Sequence, residues 1–302
     1  MELITYFMQR GHFSPKIINN DLSEKLHATF LEMLDGQKRY FLKKDIAQFD
    51  RYKYALDDEF RSLNTDFFDL VHARYIQRRN EAELFYTELL EKPFDYSKNE
   101  EIDLDYEDQG YPITLRQRSE KWRKQLKFST LNIVHSKLEE EEKRAEKDTS
   151  YQPKLFDELE AEAREITREN LENYFSLMED VRDEDWFGSY LNAFVSQFDP
   201  HSVYFAPVDK DRFDASMSGK YEGIGARLTK RNQSIKIVEI ISGGPLWRDQ
   251  SIDVGDQIMM VRQEEGDPVD VQSMRLDDAI ELIKGPEGTT VFITVKKVDG
   301  TV

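Results

Sequence analysis

The apolar residues of this chain keep two different periods, and the change between them near residue 218 constrains the fold more than any other feature. From about residue 20 to 185 they recur at intervals of three and four, which places side chains on one face of an α-helix. Beyond 218 they alternate within short β-branched runs, the period of a strand. One sheet or one bundle does not satisfy both patterns. The sequence therefore predicts a multidomain protein: a mainly α-helical N-terminal domain with its connector over 1–217, then a small α+β domain over 218–302. The length of 302 residues agrees, because a single core is seldom that large.

In the helical part, Asp21 and Glu24 read as a capping box opening a helix with Leu26, Phe30, Met33 and Leu34 on one face, closed by Asp35-Gly36. Ile46, Phe49, Tyr52 and Leu56 share one period and predict a single helix. Phe67, Phe68, Val71 and Tyr75, continuing to Leu84–Leu90, predict a long one. The acidic, turn-rich stretch from Pro93 to Pro112 reads as a loop. Trp122 to Val134 resume helix, and the charge run Glu139–Glu146 reads as its solvated continuation. Leu155 to Met178 and Trp186 to Phe194 complete this part.

In the second part, Ser234–Ile241, Gln257–Arg262 and Thr289–Val298 read as strands. Met274 to Lys284 reads as a helix, with Leu276, Ala279, Ile280 and Ile283 on one face and Lys284-Gly285-Pro286 as its stop.

The chemistry is carried by Tyr221-Glu-Gly-Ile-Gly-Ala-Arg-Leu228. Glycines around one aliphatic residue allow backbone angles that aim successive N–H groups into one concavity, a nest that suits a carboxylate. The strand that follows, Ala226–Thr229, is expected at a sheet edge beside the helix of Ala279, Ile280 and Ile283. A peptide adding there as an extra strand would place its terminal carboxylate on the N–H groups of Gly223, Ile224, Gly225 and Ala226. Its last side chain would enter a pocket floored by Ile224, Leu228 and the helix, which selects free apolar C-termini. Either Ile280 or Ile283 could equally belong to the core. Ile241-Ser-Gly-Gly-Pro245 and Val254-Gly-Asp-Gln-Ile258 follow at the spacing of PDZ domains.

The resemblance is wider than PDZ. Phe198-Asp-Pro-His-Ser-Val-Tyr-Phe205, Met217-Ser-Gly219, Tyr221–Ala226 and Leu276–Thr289 resemble carboxyl-terminal processing proteases. Leu34-Asp-Gly-Gln-Lys-Arg-Tyr-Phe-Leu42 with Asp45-Ile46, and Trp122–Leu126, resemble the helical domain of their tail-specific (Prc-like) branch. That resemblance implies a bacterial periplasmic serine endopeptidase with a Ser/Lys dyad, the lysine as general base and the serine as nucleophile. It implies protein C-termini as substrate and leaves room for an adaptor protein as partner. No position here matches the dyad motifs, so no catalytic residue is assigned. Where the family often has small residues after Gly-Gly-Pro, this chain has Leu246 and Trp247, so Trp247 is expected over the PDZ core or against another domain. A hinge at Ser216–Lys220 would carry the response to a bound tail. The competing readings are a non-enzymatic PDZ adaptor and, opposed by the helical front, an HtrA-like protease.

Other classes are disfavoured. A net charge of -18 repels nucleic acid and anionic membrane surfaces. No apolar run approaches the ~20 residues of a membrane span. The absence of cysteine removes disulfides and thiolate sites. Asp103, Asp105, Glu107 and Asp108 lack the glycine and glutamate of a calcium loop, so neither metal nor cofactor is expected. Asp199, His201 and Ser202 read as a capped turn rather than a triad. His12, His27, His72 and His135 read as surface or interface residues. Met1–Met8 is too short and wrongly charged for a secretory leader, which leaves a cytoplasmic chain or one whose leader has been removed. A terminal strand followed by the turn Asp299-Gly300 is expected of a hairpin cut short.

Overall fold

The computed structural model describes residues 1–206, 210, 213–214, 217, 223–231, 233–285 and 288–302. They form two compact units, Met1–Phe175 with Val181–Tyr204, and Ser176–Asp180 with Phe205–Val302. Among the described residues no helix is long and apolar enough to cross a membrane. The hinge expected at Ser216–Lys220 lies outside the described residues except for Met217.

The first unit is helical: α1 (Glu2–Arg10), α2 (Asn20–Asp35), α3 (Lys43–Phe49), α4 (Leu56–Ser62), α5 (Asp66–Leu89), α6 (Leu115–Lys147), α7 (Phe156–Glu179, shared with the second unit) and α8 (Asp183–Val195). No helix or strand falls between Leu89 and Leu115, where the loop was expected, and Glu139–Glu146 continues α6. Three expectations are corrected. The cap of α2 is Asn19, whose extended backbone lets its carboxamide oxygen accept from Leu22 N–H at 3.2 Å. Glu24 instead meets Lys53 at 2.7 Å. Met33 lies off the buried face of Leu22, Leu26, Phe30 and Leu34 and is 53% exposed. The single helix expected from Ile46 to Leu56 is broken after Phe49 by a 3-10 turn at Asp50–Tyr52, and its i+3 bonds (Lys53 N–H to Asp50 O, Ala55 N–H to Tyr52 O) let Phe49 and Leu56 both reach the core.

Aromatic rings dominate this core. Phe60 and Phe194 stack with centroids 3.9 Å apart, and Tyr190 is surrounded by Phe30, Phe60, Phe67 and Phe68. Trp122 is fully buried and its indole N–H donates to Arg39 O at 2.9 Å. The loop after α2 is folded around one carboxylate: Asp35 accepts from the N–H groups of Arg39, Tyr40 and Phe41 at 2.7, 3.0 and 2.8 Å. Burial pushes its carboxyl up to about 7 against those bonds.

The second unit holds a five-stranded antiparallel sheet: β1 (Ala226–Arg231), β2 (Ser234–Ile240), β3 (Gln257–Gln263), β4 (Val269–Asp270) and β5 (Val291–Lys296). Beside the sheet, the described residues include two short helices, α9 (Pro245–Asp249) and α10 (Leu276–Ile283). β5 pairs along the length of β3, while β2 pairs with its start (Gln257, Ile258) and β4 with its middle (Met260, Val261). Ile235, Ile237, Ile258, Val261, Val271, Leu246, Ala279 and Ile283 close the core beneath α10. β4 and α9 were not legible in the sequence, being two and five residues long. Leu246 (6% exposed), not Trp247 (51% exposed), covers the core from α9.

Candidate functional site

The Gly-Ile-Gly turn and the Gly-Gly-Pro turn lie against each other. Gly225 has φ +75°, and a Cβ there would stand 3.0 Å from both Gly244 Cα and Pro245 Cδ. Only glycine satisfies both the left-handed backbone and this approach. Two bonds fasten the turns: Leu246 N–H donates to Ile224 O at 3.0 Å, and Ile241 N–H to Gly225 O at 2.8 Å. With these carbonyls turned into the domain, the N–H groups of Gly223, Ile224 and Gly225 have no acceptor among the described residues.

β1 starts at the next residue. It pairs with β2, from Ala226↔Ile240 to Arg231↔Ser234, with a bulge between Arg227 and Leu228. Among the described residues its other edge is unpaired, and α10 packs against β1 and β3. Ile224, Ala279 and Ile283 are buried in one cluster with Leu228 packed against it. Ile280 is half-buried and outside that cluster, and Ala226 is half-buried against it. The eight residues read from the sequence thus fall around one turn, one strand and one helix. The helix splits between core (Ala279, Ile283) and partly open (Ile280) positions. Tyr221 and Glu222, which open the motif, lie outside the described residues.

Two further residues shape this place. Gln263, at the end of β3, donates through Nε2 to Leu282 O and, at 3.4 Å, to Lys284 O, which ties the end of α10 to the sheet. Lys284 runs beside the glycine turn: a Cβ on Gly223 would lie 3.7 Å from Lys284 Cγ. The sequence marked Lys284 only as a helix stop and gave no sign of Gln263, because both roles depend on contacts across the sheet.

The Asp-Pro-His-Ser segment is a turn. Asp199 accepts from His201 N–H at 3.0 Å and from the Ser202 hydroxyl at 3.1 Å. The histidine beside Ser202 is His12, with Nε2 3.2 Å from Oγ, a contact across 190 residues that no local pattern announces. Of the surface and interface readings, His135 fits the first, while His12 and His27 have almost no exposed side-chain surface and pack between segments. Asp103 and Asp105 are exposed and accept from the N–H groups of Asp105 and Glu107, as expected of a solvated loop.

Comparison with known families decides the assignment. The profile described as "Tail specific protease N-terminal domain" matches residues 4–208. The chain belongs to the tail-specific protease family. A PDZ domain profile matches residues 214–296. The tail-specific protease of Haemophilus influenzae is 28% identical over 97% of this chain and 39% of its own length. The carboxy-terminal processing protease CtpA of Bacillus subtilis is 30% identical over 41% of this chain and 25% of its own length. The chain thus spans well under half of the curated relatives it matches. A crystal structure of the PDZ domain of a carboxy-terminal protease from Vibrio cholerae in complex with peptide is 43% identical, covering 24% of this chain and 76% of that one, with a TM-score of 0.24. A helical part followed by a small α+β part is what the change of apolar period led one to expect, and the family of each is the one the resemblance implied.

Proposed function

We propose that this chain is the substrate-recognition portion of a tail-specific serine endopeptidase and that its PDZ groove binds the apolar C-termini of proteins. The observation that carries the reading is the turn at Gly223–Gly225, whose N–H groups lack acceptors among the described residues, placed at the start of a strand with an open edge beside α10. An added peptide strand would bond to β1 and end with its carboxylate on Gly223, Ile224, Gly225 and Ala226. Its last side chain would lie between Ile224, Leu228 and α10, with Ile280 as the helix residue of the pocket and Ala279 and Ile283 as its support.

The PDZ domain begins at residue 218 in this reading, and the helical domain with its connector ends at 217. The parent enzyme is periplasmic and cleaves with a Ser/Lys dyad outside these 302 residues. Its lysine takes the serine proton, and the serine attacks the scissile carbonyl. Support for a catalytic region elsewhere comes from the fraction of the Haemophilus relative that this chain spans, 39%. Engagement of a tail by the PDZ groove would favour the active arrangement to the extent that the tail binds that arrangement more tightly.

The test is binding of a fluorescent decapeptide ending in valine, as free acid and as amide, to the 302-residue chain. The free acid is expected to bind and the amide to lose most of that affinity. Equal binding by both would remove the carboxylate nest. Hydrolysis of an apolar-tailed substrate by the full-length protein separates the protease from a PDZ adaptor, for which no cleavage is expected.

A further inference from the structure

We propose that Lys284 supplies the cation that reads the charge of the bound C-terminus, an assignment that rests on the carboxylate reading of the Gly223–Ala226 turn. Main-chain N–H groups alone provide partial charges, donate to a carboxylate or to a neutral amide oxygen, and favour the carboxylate less sharply than a full charge does. A full positive charge at the same place makes the site discriminate between a carboxylate and its amide, because charge-assisted bonds are markedly stronger than neutral ones.

The geometry puts such a charge there. Lys284 is the first residue past α10, with its N–H donating to Ile280 O at 2.8 Å. Its carbonyl and that of Leu282 are both gripped by the carboxamide of Gln263. The next residue, Gly285, lies where an added Cβ would run into Thr289 Oγ1 and stand 3.5 Å from Gln263 Oε1. The backbone that carries Lys284 is thus tied to β3 through Gln263. Its stem passes Gly223, where a Cβ would meet Lys284 Cγ at 3.7 Å. Beyond that carbon lie two methylenes and the ammonium, enough to reach an oxygen seated on the neighbouring N–H groups.

The ammonium is also available. Lys284 is exposed, and among the described residues no carboxylate forms an ion pair with it. Three nearby cations are engaged elsewhere: Arg227 with Glu239 at 3.0 Å, Lys230 with Asp180 at 2.5 Å and Lys297 with Asp256 at 2.8 Å. In a protein of net charge -18 a lysine unpaired among the described residues and running beside this turn is a local reversal of sign. The stem itself also closes the outer wall of the turn, as long lysine side chains do over apolar or backbone surface.

The experiment crosses two ligands with three proteins. The decapeptide ending in valine, as free acid and as amide, is titrated by fluorescence anisotropy into the unaltered chain, Lys284→Met and Lys284→Arg. Methionine keeps the stem and removes the charge; arginine keeps the charge. The free acid is expected to bind Lys284→Met about three- to ten-fold more weakly, the range of a partly exposed ion pair assisted by hydrogen bonds. The amide should bind the unaltered chain and Lys284→Met alike, and Lys284→Arg should restore binding of the acid. Raising ionic strength should shrink the difference between acid and amide in the unaltered chain but not in Lys284→Met. If Lys284→Met binds the acid unchanged while the amide still binds the unaltered chain more weakly, the nest stands and the role of Lys284 is overturned. If the unaltered chain does not tell acid from amide, the carboxylate reading falls and this assignment falls with it. Circular dichroism of the variants excludes misfolding as the cause of any loss.

Discussion

Asp45 and Arg78 meet in a two-pronged ion pair, Nε to Oδ2 at 2.8 Å and Nη2 to Oδ1 at 2.9 Å, with side chains 0% and 4% exposed. The same carboxylate accepts from Leu42 N–H at 2.9 Å and from Arg74, so it opens α3 and joins α3 to α5 at once. Arg78 continues to Glu81, which also holds the buried Arg118 of α6. A pair this dry is costly to break, because the survivor keeps a charge with no water to replace its partner.

Replacing Asp45 should therefore destabilise the helical unit strongly. Asp45→Asn is expected to lower its unfolding free energy by about 3 kcal/mol, read by urea titration of tryptophan fluorescence. Burial alone would push the Asp45 carboxyl up, but the bonds from Arg78 and Leu42 outweigh it and hold it below the usual range. The stability it contributes is complete above the unfolded carboxylate value, ~3.9, and is lost as pH falls through the lower folded value. Asp45→Asn should flatten that acid limb. A variant as stable as the parent at pH 7 would show that the pair is a bystander.

Glu59 has the opposite sign. It is buried in α4, accepts at 3.3 Å from Phe67 N–H in the first turn of α5 and faces Asp66 and Asp69. Burial, reinforced by those carboxylates, pushes it up to about 7. The unfolded chain gives up this proton near pH 4.3 and the folded one only near 7, so stability is full below the unfolded value and declines between the two. Glu59→Gln keeps an acceptor for Phe67 and needs no charge. It should be more stable than the parent by about 2 kcal/mol at pH 7.5 and equal to it at pH 4. Thermal melts at the two pH values check this, and a difference that does not change with pH would contradict it.

In the PDZ unit, Asp256 is 1% exposed and takes Lys297 Nζ at 2.8 Å and Asp253 N–H at 2.8 Å, tying the start of β3 to the end of β5. Burial raises its carboxyl, and the Asp253 and Lys297 bonds more than reverse that. Asp256→Asn should cost about 2 kcal/mol, the scale of a broken charge-assisted bond in a buried place. Hydrogen exchange should quicken in β3 and β5 while α2 and α5 keep their protection. Unchanged exchange in β3 would remove the residue from the account.

The two glycine turns give a graded test. Gly225→Val meets both a left-handed backbone and contacts at 3.0 Å, whereas Gly243, at φ +82°, has open space within 4 Å. Gly243→Ala should cost only the strain, about 1 kcal/mol, and leave peptide binding intact. Gly225→Val should cost at least about 2 kcal/mol and abolish binding of the valine-ended peptide. Binding that survives Gly225→Val would place the ligand elsewhere.

The sequence determined what its local chemistry could carry. The switch of apolar period announced the helices before 185 and the strands after 226, because one face of each element must be dry. The glycines of the Gly-Ile-Gly and Gly-Gly-Pro turns announced unusual backbone, because only glycine adopts it freely. Tertiary structure alone decided what those elements meet. It seated Gly225 on Gly244, sent Ala279 and Ile283 into the core while leaving Ile280 partly open, laid Lys284 beside Gly223, and brought Asp45 to Arg78 and His12 to Ser202. A side chain's period fixes the face it occupies within its own element. Its partner lies many residues away, and close packing chooses that partner only when the whole chain is in place.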